Sequence, residues 1–93
     1  MTKIEKIVKI LRDRGKTIST MESCTGGFVA SSITDVPGAS KILNFSAITY
    51  SNEYKIKMGV SSDIIDKYTV YSSEVSKEMA RVISEFALSD YGI

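Results

Sequence analysis

The sequence of 93 residues contains no histidine and no tryptophan, a single cysteine and a single proline. Without histidine, a serine–histidine or cysteine–histidine pair cannot form within the chain. A zinc site of the usual kind would lack both imidazole and paired thiolates. Any proton transfer must therefore use lysine, tyrosine or a carboxylate.

Long apolar runs are also missing. No stretch approaches the roughly 20 apolar residues of a membrane-spanning helix, and residues 1–6 lack the apolar core of a signal peptide. The lone cysteine, Cys24, cannot form an internal disulfide, which agrees with a reducing compartment. We therefore expect a cytoplasmic protein with no membrane partner.

Charge of one sign is not in excess. Twelve basic and eleven acidic residues leave a net charge of +1, and the lysines form no dense block. Because non-specific nucleic-acid binding depends on neutralising phosphates, we predict no nucleic-acid partner. The hydrophobic fraction of 43% and charged fraction of 25% are typical of a folded globular chain, and the length allows one domain.

The first third of the chain predicts a helix followed by a strand. Thr2 and Glu5 have the spacing of a capping box, and apolar residues then recur every three to four positions, which predicts a helix over residues 3–14. Gly15 supplies the helix stop. Residues 16–21 are rich in β-branched side chains and predict a short strand.

The remaining chain predicts further helices and one more strand. We expect a brief helix from Phe28 to about Ile33, a strand over residues 45–50 and helical turns over 53–58 and 62–67. A longer helix starts at Ser72 or Ser73. Its predicted apolar face is Val75, Met79, Val82, Ile83 and Phe86.

This alternation predicts an α/β fold of three layers, α/β/α, with helices on both faces of the sheet. Residues 90–93 begin an apolar, strand-like segment just after a helix. Since an isolated pair of strands is marginal, we expect the domain, residues 1–93, to be incomplete at its C-terminal side.

A hydroxyl-rich and glycine-rich turn, residues 23–27, connects the first strand to the second helix. Unpaired N–H groups at a helix start favour anions, so this turn could hold a phosphate or a developing oxyanion. The alternative is a plain N-cap formed by Ser23 or Thr25, which the pattern alone favours. By the same standard, Cys24 is expected to be a small buried residue rather than a nucleophile.

Lys55 follows the second strand, at the edge where open α/β sheets gather functional groups. If adjacent strand ends bring Ser23 and Lys55 together, Lys55 could take the Ser23 proton, provided that burial lowers its pKa. The alternative is a solvated lysine, which spacing alone favours. Lys57 lies two residues further along a helix and faces another way.

Five blocks of the sequence resemble the CinA C-terminal family, the nicotinamide mononucleotide deamidases, in order and spacing. They are MESCTGG (21–27), TDVPGAS (34–40), TYSNEYK (49–55), GV (59–60) and SSEV (72–75). The blocks cover nearly the whole chain, which makes the resemblance far more specific than any single block.

The resemblance implies hydrolysis of the carboxamide of nicotinamide mononucleotide, a small-molecule substrate, to the carboxylate and ammonia, without a metal or a cofactor. Ser23 would be the nucleophile and Lys55 the general base, with Tyr50 hydrogen-bonding within this pair. The residues implied to contact substrate or oxyanion are Thr25, Gly26 and Gly27 and, more weakly, Ser46 and Ser72.

The chain also departs from the family pattern. The resemblance implies a domain about one and a half times this length, with a Gly-Pro-Gly-Gly-rich loop, further strands and basic residues for the phosphate. Tyr71 replaces a small residue. The alternatives are thus an inactive or partial domain that binds nucleotide, or a structural module that oligomerises through an unpaired strand edge. The expected partner is a second copy or a complementing C-terminal segment.

Overall fold

The computed structural model describes residues 1–93 as five α-helices around a three-stranded parallel sheet. The strands are β1 (Ile18–Glu22), β2 (Leu43–Ile48) and β3 (Tyr91–Gly92), in the order β2-β1-β3. The helices are α1 (Lys3–Arg14), α2 (Phe28–Thr34), α3 (Asn52–Met58), α4 (Ser62–Tyr68) and α5 (Ser73–Ala87), with a 3₁₀ turn over Ala39–Lys41. None of these helices is both long and apolar enough to cross a bilayer.

Local sequence signals define α1. The Thr2 hydroxyl accepts a hydrogen bond from the Glu5 N–H at 3.1 Å, and the Glu5 carboxylate accepts one from the Thr2 N–H at 3.3 Å. These two bonds form the predicted capping box. Gly15 ends the helix with a left-handed φ of 64°, as predicted.

Two apolar cores lie on opposite faces of the sheet. One core packs α1, α2 and the 3₁₀ turn against β1 through Val8, Leu11, Ile18, Ile33, Ala39 and Ile42. The other packs α4 and α5 against β1 through Met21, Val60, Ile65, Val75, Met79, Val82 and Ile83. Because both faces are covered, all five residues of β1 are buried. The predicted α/β/α fold is confirmed.

The longest helix, α5, is capped by Ser72, whose hydroxyl accepts from the Val75 N–H at 3.2 Å. The predicted inclusion of Phe86 in its buried face is wrong. Phe86 is 60% exposed, and its ring lies 5.5 Å from that of Phe45 on the edge strand β2. The ring therefore packs beside the sheet edge and not beneath the sheet.

Strand register positions the functional site. In the parallel pairing of β1 with β2, Glu22 lies opposite Ile48, so both strands end at the same level. The residues that follow them, Ser23 and Thr49, therefore leave the sheet at the same edge. Ser51 then caps α3, the helix that carries Lys55, by accepting from the Tyr54 N–H at 3.2 Å.

Gly92 lets β3 lie directly on α5. A Cβ at this position would overlap the carbonyl oxygen of Ala80 and would lie 3.1 Å from the Ser84 Cβ. The Ala80 carbonyl belongs to the backbone of α5 and cannot move away from an added Cβ as a flexible side chain could. We therefore expect Gly92→Ala to lower the free energy of unfolding by about 3 kcal/mol in urea titrations. Gly15→Ala is the control, because nothing lies within 4 Å of its Cβ and only its φ of 64° is strained. Equal losses in the two variants would contradict the close packing of β3 on α5.

Candidate active site

The structure brings Ser23 and Lys55 into direct contact. Ser23 is the first residue after β1, and Lys55 lies in the second turn of α3. The Lys55 Nζ donates a hydrogen bond to the Ser23 Oγ at 3.1 Å across 32 residues of sequence. Adjacent parallel strands that end at one level place the two side chains at the same sheet edge.

Lys55 is buried without a counter-ion. Only 2% of the residue is exposed, and none of the four ion pairs of the chain includes it. Its Nζ donates to the carbonyl oxygens of Thr49 at 2.6 Å and Tyr50 at 3.4 Å, besides the Ser23 Oγ. Burial lowers the pKa of Lys55, and the charge of the nearby Cys24 thiol, when ionised, opposes this effect. The alternative of a solvated lysine is therefore wrong.

This arrangement suits a lysine that acts as a base. An ammonium group has three protons, and the three acceptors around Lys55 match them. When the ammonium group loses one proton, two N–H groups remain, and they donate to the two carbonyl oxygens, because a carbonyl oxygen can only accept. The lone pair is then directed toward the Ser23 hydroxyl, which donates its proton to it.

Helix α2 is capped by a residue that sequence reasoning did not single out. Its N-cap, Gly27, offers no side chain, and the carboxylate of Glu22 instead accepts from the N–H groups of Val29 at 2.8 Å and Ala30 at 2.9 Å. The expectation that Ser23 or Thr25 caps this helix is therefore wrong. These helical N–H groups are also not free for an anion.

The predicted donors of the loop are only partly available. The Thr25 hydroxyl donates to the Glu22 carboxylate at 2.8 Å, and the Gly26 N–H donates to the Ser23 carbonyl oxygen at 3.1 Å. In contrast, the N–H groups of Cys24, Thr25 and Gly27 have no acceptor within the protein. Backbone N–H groups that follow a nucleophile directly are suitable donors to an oxyanion.

Tyr50 contacts the pair through its backbone. Its carbonyl oxygen accepts from Lys55, whereas its side chain is 78% exposed and its phenol makes no hydrogen bond. Tyr50 therefore hydrogen-bonds within the pair through its carbonyl oxygen and not through its phenol.

Ser46 and Ser72 use their hydroxyls inside the fold. The Ser46 Oγ lies 2.7 Å from the Thr20 Oγ1 of the neighbouring strand. The Ser72 hydroxyl caps α5 and donates to the Thr69 carbonyl oxygen at 2.7 Å. Neither hydroxyl forms a hydrogen bond with Ser23 or Lys55, and contact of these serines with substrate stays a prediction.

Two other residues considered from the sequence, Cys24 and Lys57, are exposed. Cys24 is exposed, so the expectation of a buried cysteine is wrong. Lys57 faces solvent, as expected, and forms an ion pair with Glu53 at 3.2 Å. No group of three or more histidine, cysteine, aspartate or glutamate residues is arranged to hold a metal ion.

The fold and the site define a three-layer α/β domain that carries a serine–lysine pair at the edge of its parallel sheet. The chain belongs to the CinA C-terminal domain family, whose family model matches residues 1–93. It is 49% identical over 90 residues to a competence-damage inducible protein of Caldanaerobacter subterraneus subsp. tengcongensis. It is also 47% identical over 90 residues to a CinA-like protein of Kosmotoga olearia.

Solved structures share this fold. A CinA superfamily protein of Escherichia coli superposes with a TM-score of 0.89 at 28% identity, covering 94% of this chain and 51% of that protein. The competence/damage inducible protein CihA of Agrobacterium tumefaciens superposes with a TM-score of 0.83 at 26% identity, covering 97% and 58% of the two chains. Each sequence relative matches 96% of this chain, and the chain spans 22% of the length of either.

Proposed function

We propose that this chain is the nucleophile-bearing part of an amidohydrolase that converts nicotinamide mononucleotide and water to nicotinate mononucleotide and ammonia. The observation that carries the proposal is the 3.1 Å contact between the Lys55 Nζ and the Ser23 Oγ. Burying a lysine without a counter-ion costs desolvation free energy, and such lysines with lowered pKa values occur at functional sites, where they can accept a proton.

In the proposed mechanism, neutral Lys55 takes the Ser23 proton while the Ser23 Oγ attacks the carboxamide carbon. The N–H groups of Cys24 and Thr25 donate to the oxyanion that forms. Protonated Lys55 then gives its proton to the amide nitrogen as the C–N bond breaks, which releases ammonia and leaves an acyl-Ser23 ester. Water, deprotonated by Lys55, attacks that ester. Lys55 returns the proton to the Ser23 Oγ as the bond from that oxygen to the acyl carbon breaks, and the acid product leaves as the carboxylate.

The direct test is ammonia release from nicotinamide mononucleotide by purified protein. We expect release to depend on protein concentration and to yield nicotinate mononucleotide in equal amount. Free nicotinamide is the matched control, because it has the same carboxamide without ribose and phosphate. Absence of ammonia release at high protein concentration would contradict the proposal.

A second candidate function is nucleotide binding or self-association without turnover. Self-association is favoured by the sheet edges: β2 and β3 each have one unpaired side, and Phe45 and Tyr91 on them are 41% and 53% exposed. Calorimetry that detects nucleotide binding without ammonia release would support this function. Light scattering would separate a homo-oligomer from a monomer.

The pH dependence of kcat/KM tests the role of Lys55. Because burial lowers the pKa of Lys55 below its ordinary 10.5, the neutral and active amine is available at lower pH than in an exposed lysine. We expect kcat/KM to rise with pH, with its midpoint below 10.5. Cys24→Ser should move this midpoint further down, because a thiolate at position 24 favours the charged amine. A profile without an ascending limb would contradict a lysine base.

A further inference from the structure

Glu22 is a buried carboxylate at the junction of β1 and the loop that carries Ser23. Only 4% of the residue is exposed. Its Oε1 accepts hydrogen bonds from the Thr25 hydroxyl at 2.8 Å and the Val29 N–H at 2.8 Å. Its Oε2 accepts from the Ala30 N–H at 2.9 Å and the Thr20 hydroxyl at 3.2 Å.

The network continues into the neighbouring strand. The Thr20 Oγ1 lies 3.2 Å from the Glu22 carboxylate and 2.7 Å from the Ser46 Oγ. A hydroxyl has one proton to donate, and an ionised carboxylate can only accept. The arrangement is satisfied when Ser46 donates to Thr20 and Thr20 donates to Glu22. The carboxylate is therefore linked to β2, β1, the loop and α2 at once.

The four donors keep this carboxylate charged. Burial alone would raise the pKa of Glu22, but the hydrogen bonds from Thr25, Ala30, Val29 and Thr20 outweigh it and lower the pKa. A charged acceptor forms stronger hydrogen bonds than a neutral one. The bonds therefore hold the first turn of α2 firmly against the end of β1.

The loop between these two anchors has little stiffness of its own. Gly26 and Gly27 have φ values of 62° and 100°, and neither has a side chain that could fix the loop. The Glu22 carboxylate bonds residues 25, 29 and 30, and thereby closes the loop that contains Ser23. An error of about 1 Å in such a nucleophile can cost about 10²-fold in rate.

We propose that Glu22 is a positioning residue that fixes the Ser23 hydroxyl within reach of Lys55. This inference rests on the proposed role of Ser23 as the nucleophile. Glu22 does not touch the reacting atoms. It acts through the loop, because its carboxylate replaces the side-chain cap that Gly27 cannot provide.

The test measures the reactivity of Ser23 with a fluorophosphonate probe, followed by intact-mass spectrometry. In Glu22→Gln the side chain keeps its shape, but an amide NH₂ replaces one acceptor oxygen and faces a donor. We expect Ser23 modification to slow about 10²-fold, and kcat for ammonia release to fall by a similar factor with KM little changed. Thr2→Ala is the control, since it removes a helix cap outside this network. In Thr2→Ala, the probe should modify Ser23 at the wild-type rate.

A second variant keeps the proposal testable if Glu22→Gln does not fold. Thr20→Val preserves shape and strand propensity while removing one donor to Glu22, and we expect a smaller slowing of Ser23 modification. If folded Glu22→Gln is modified at the wild-type rate, the proposed role of Glu22 is wrong, while the proposed function still stands. If Glu22→Gln does not fold, the same result in folded Thr20→Val has the same meaning. A wild-type Ser23 that neither reacts with the probe nor supports ammonia release would overturn this inference together with the proposed function.

Discussion

Replacing Ser23 with alanine is expected to abolish amide hydrolysis, lowering kcat/KM for nicotinamide mononucleotide at least about 10³-fold. The reason is that no other hydroxyl is hydrogen-bonded to Lys55, whose remaining partners are the carbonyl oxygens of Thr49 and Tyr50. Ammonia release measures the loss, and circular dichroism establishes that the variant is folded. The dissociation constant for nicotinamide mononucleotide should change little, because the Ser23 hydroxyl forms the covalent bond and contributes little of the contact area.

The matched control for this variant is Cys24→Ser. Cys24 is adjacent to Ser23, exposed and intrinsically nucleophilic, so it is the obvious competitor. We expect Cys24→Ser to retain turnover, with only the pH shift described above. If Ser23→Ala stays active while Cys24→Ser loses activity, the nucleophile is the thiol, and the serine–lysine mechanism is wrong.

Replacing Lys55 with methionine is expected to lower kcat/KM by about 10²- to 10⁴-fold, the usual contribution of a general base. Methionine keeps the length and apolar stem of lysine but cannot accept or donate the proton. Lys57→Met is the control, because Lys57 is exposed and paired with Glu53, and it should leave turnover unchanged. Comparable losses in both variants would point to a general effect of charge rather than a base at position 55.

The same variant has a stability signature with a defined sign. The folded pKa of Lys55 is lowered, so between the folded pKa and the unfolded value of 10.5 the unfolded chain binds more protons. The stability linked to neutral Lys55 is fully present above 10.5 and is lost as pH falls through the folded pKa. The gain in stability of Lys55→Met over the wild type should therefore be largest below the folded pKa of Lys55, and it should shrink as pH rises toward 10.5. Parallel urea midpoints across this range would contradict a depressed pKa.

The three parts of the site have different physical origins. In the proposed mechanism, Ser23 supplies the attacking oxygen and Lys55, which is desolvated, supplies the base. The proposed role of Glu22 is to order the loop between β1 and α2. The comparisons show the family and the fold, whereas the deamidase reaction is a proposal that rests on the resemblance together with this geometry. The proposals can therefore fail separately, and the variants at positions 22, 23 and 55 distinguish them.

Much of the fold was determined by the sequence itself, where signals are local. The capping box at Thr2 and the left-handed Gly15 define α1 within a few residues, so the prediction of residues 3–14 was correct. Regular apolar spacing similarly identified the helix that Ser72 caps. These features depend on neighbours three or four positions apart, and periodicity reports such neighbours directly.

Tertiary structure decided what depends on distant contacts. Phe86 has the spacing of a core residue, yet it packs beside the sheet edge because Phe45 of β2 lies there. In the sequence, Glu22 is an ordinary carboxylate at the end of a strand. Only the fold shows that Gly27 cannot cap α2 with a side chain and that Glu22 accepts from the first N–H groups of that helix instead. The contact of Ser23 with Lys55 likewise needed the β1–β2 register, since spacing alone favoured a solvated lysine. Sequence patterns record periodicity along one element, whereas burial and hydrogen-bond partners are set by how separate elements pack.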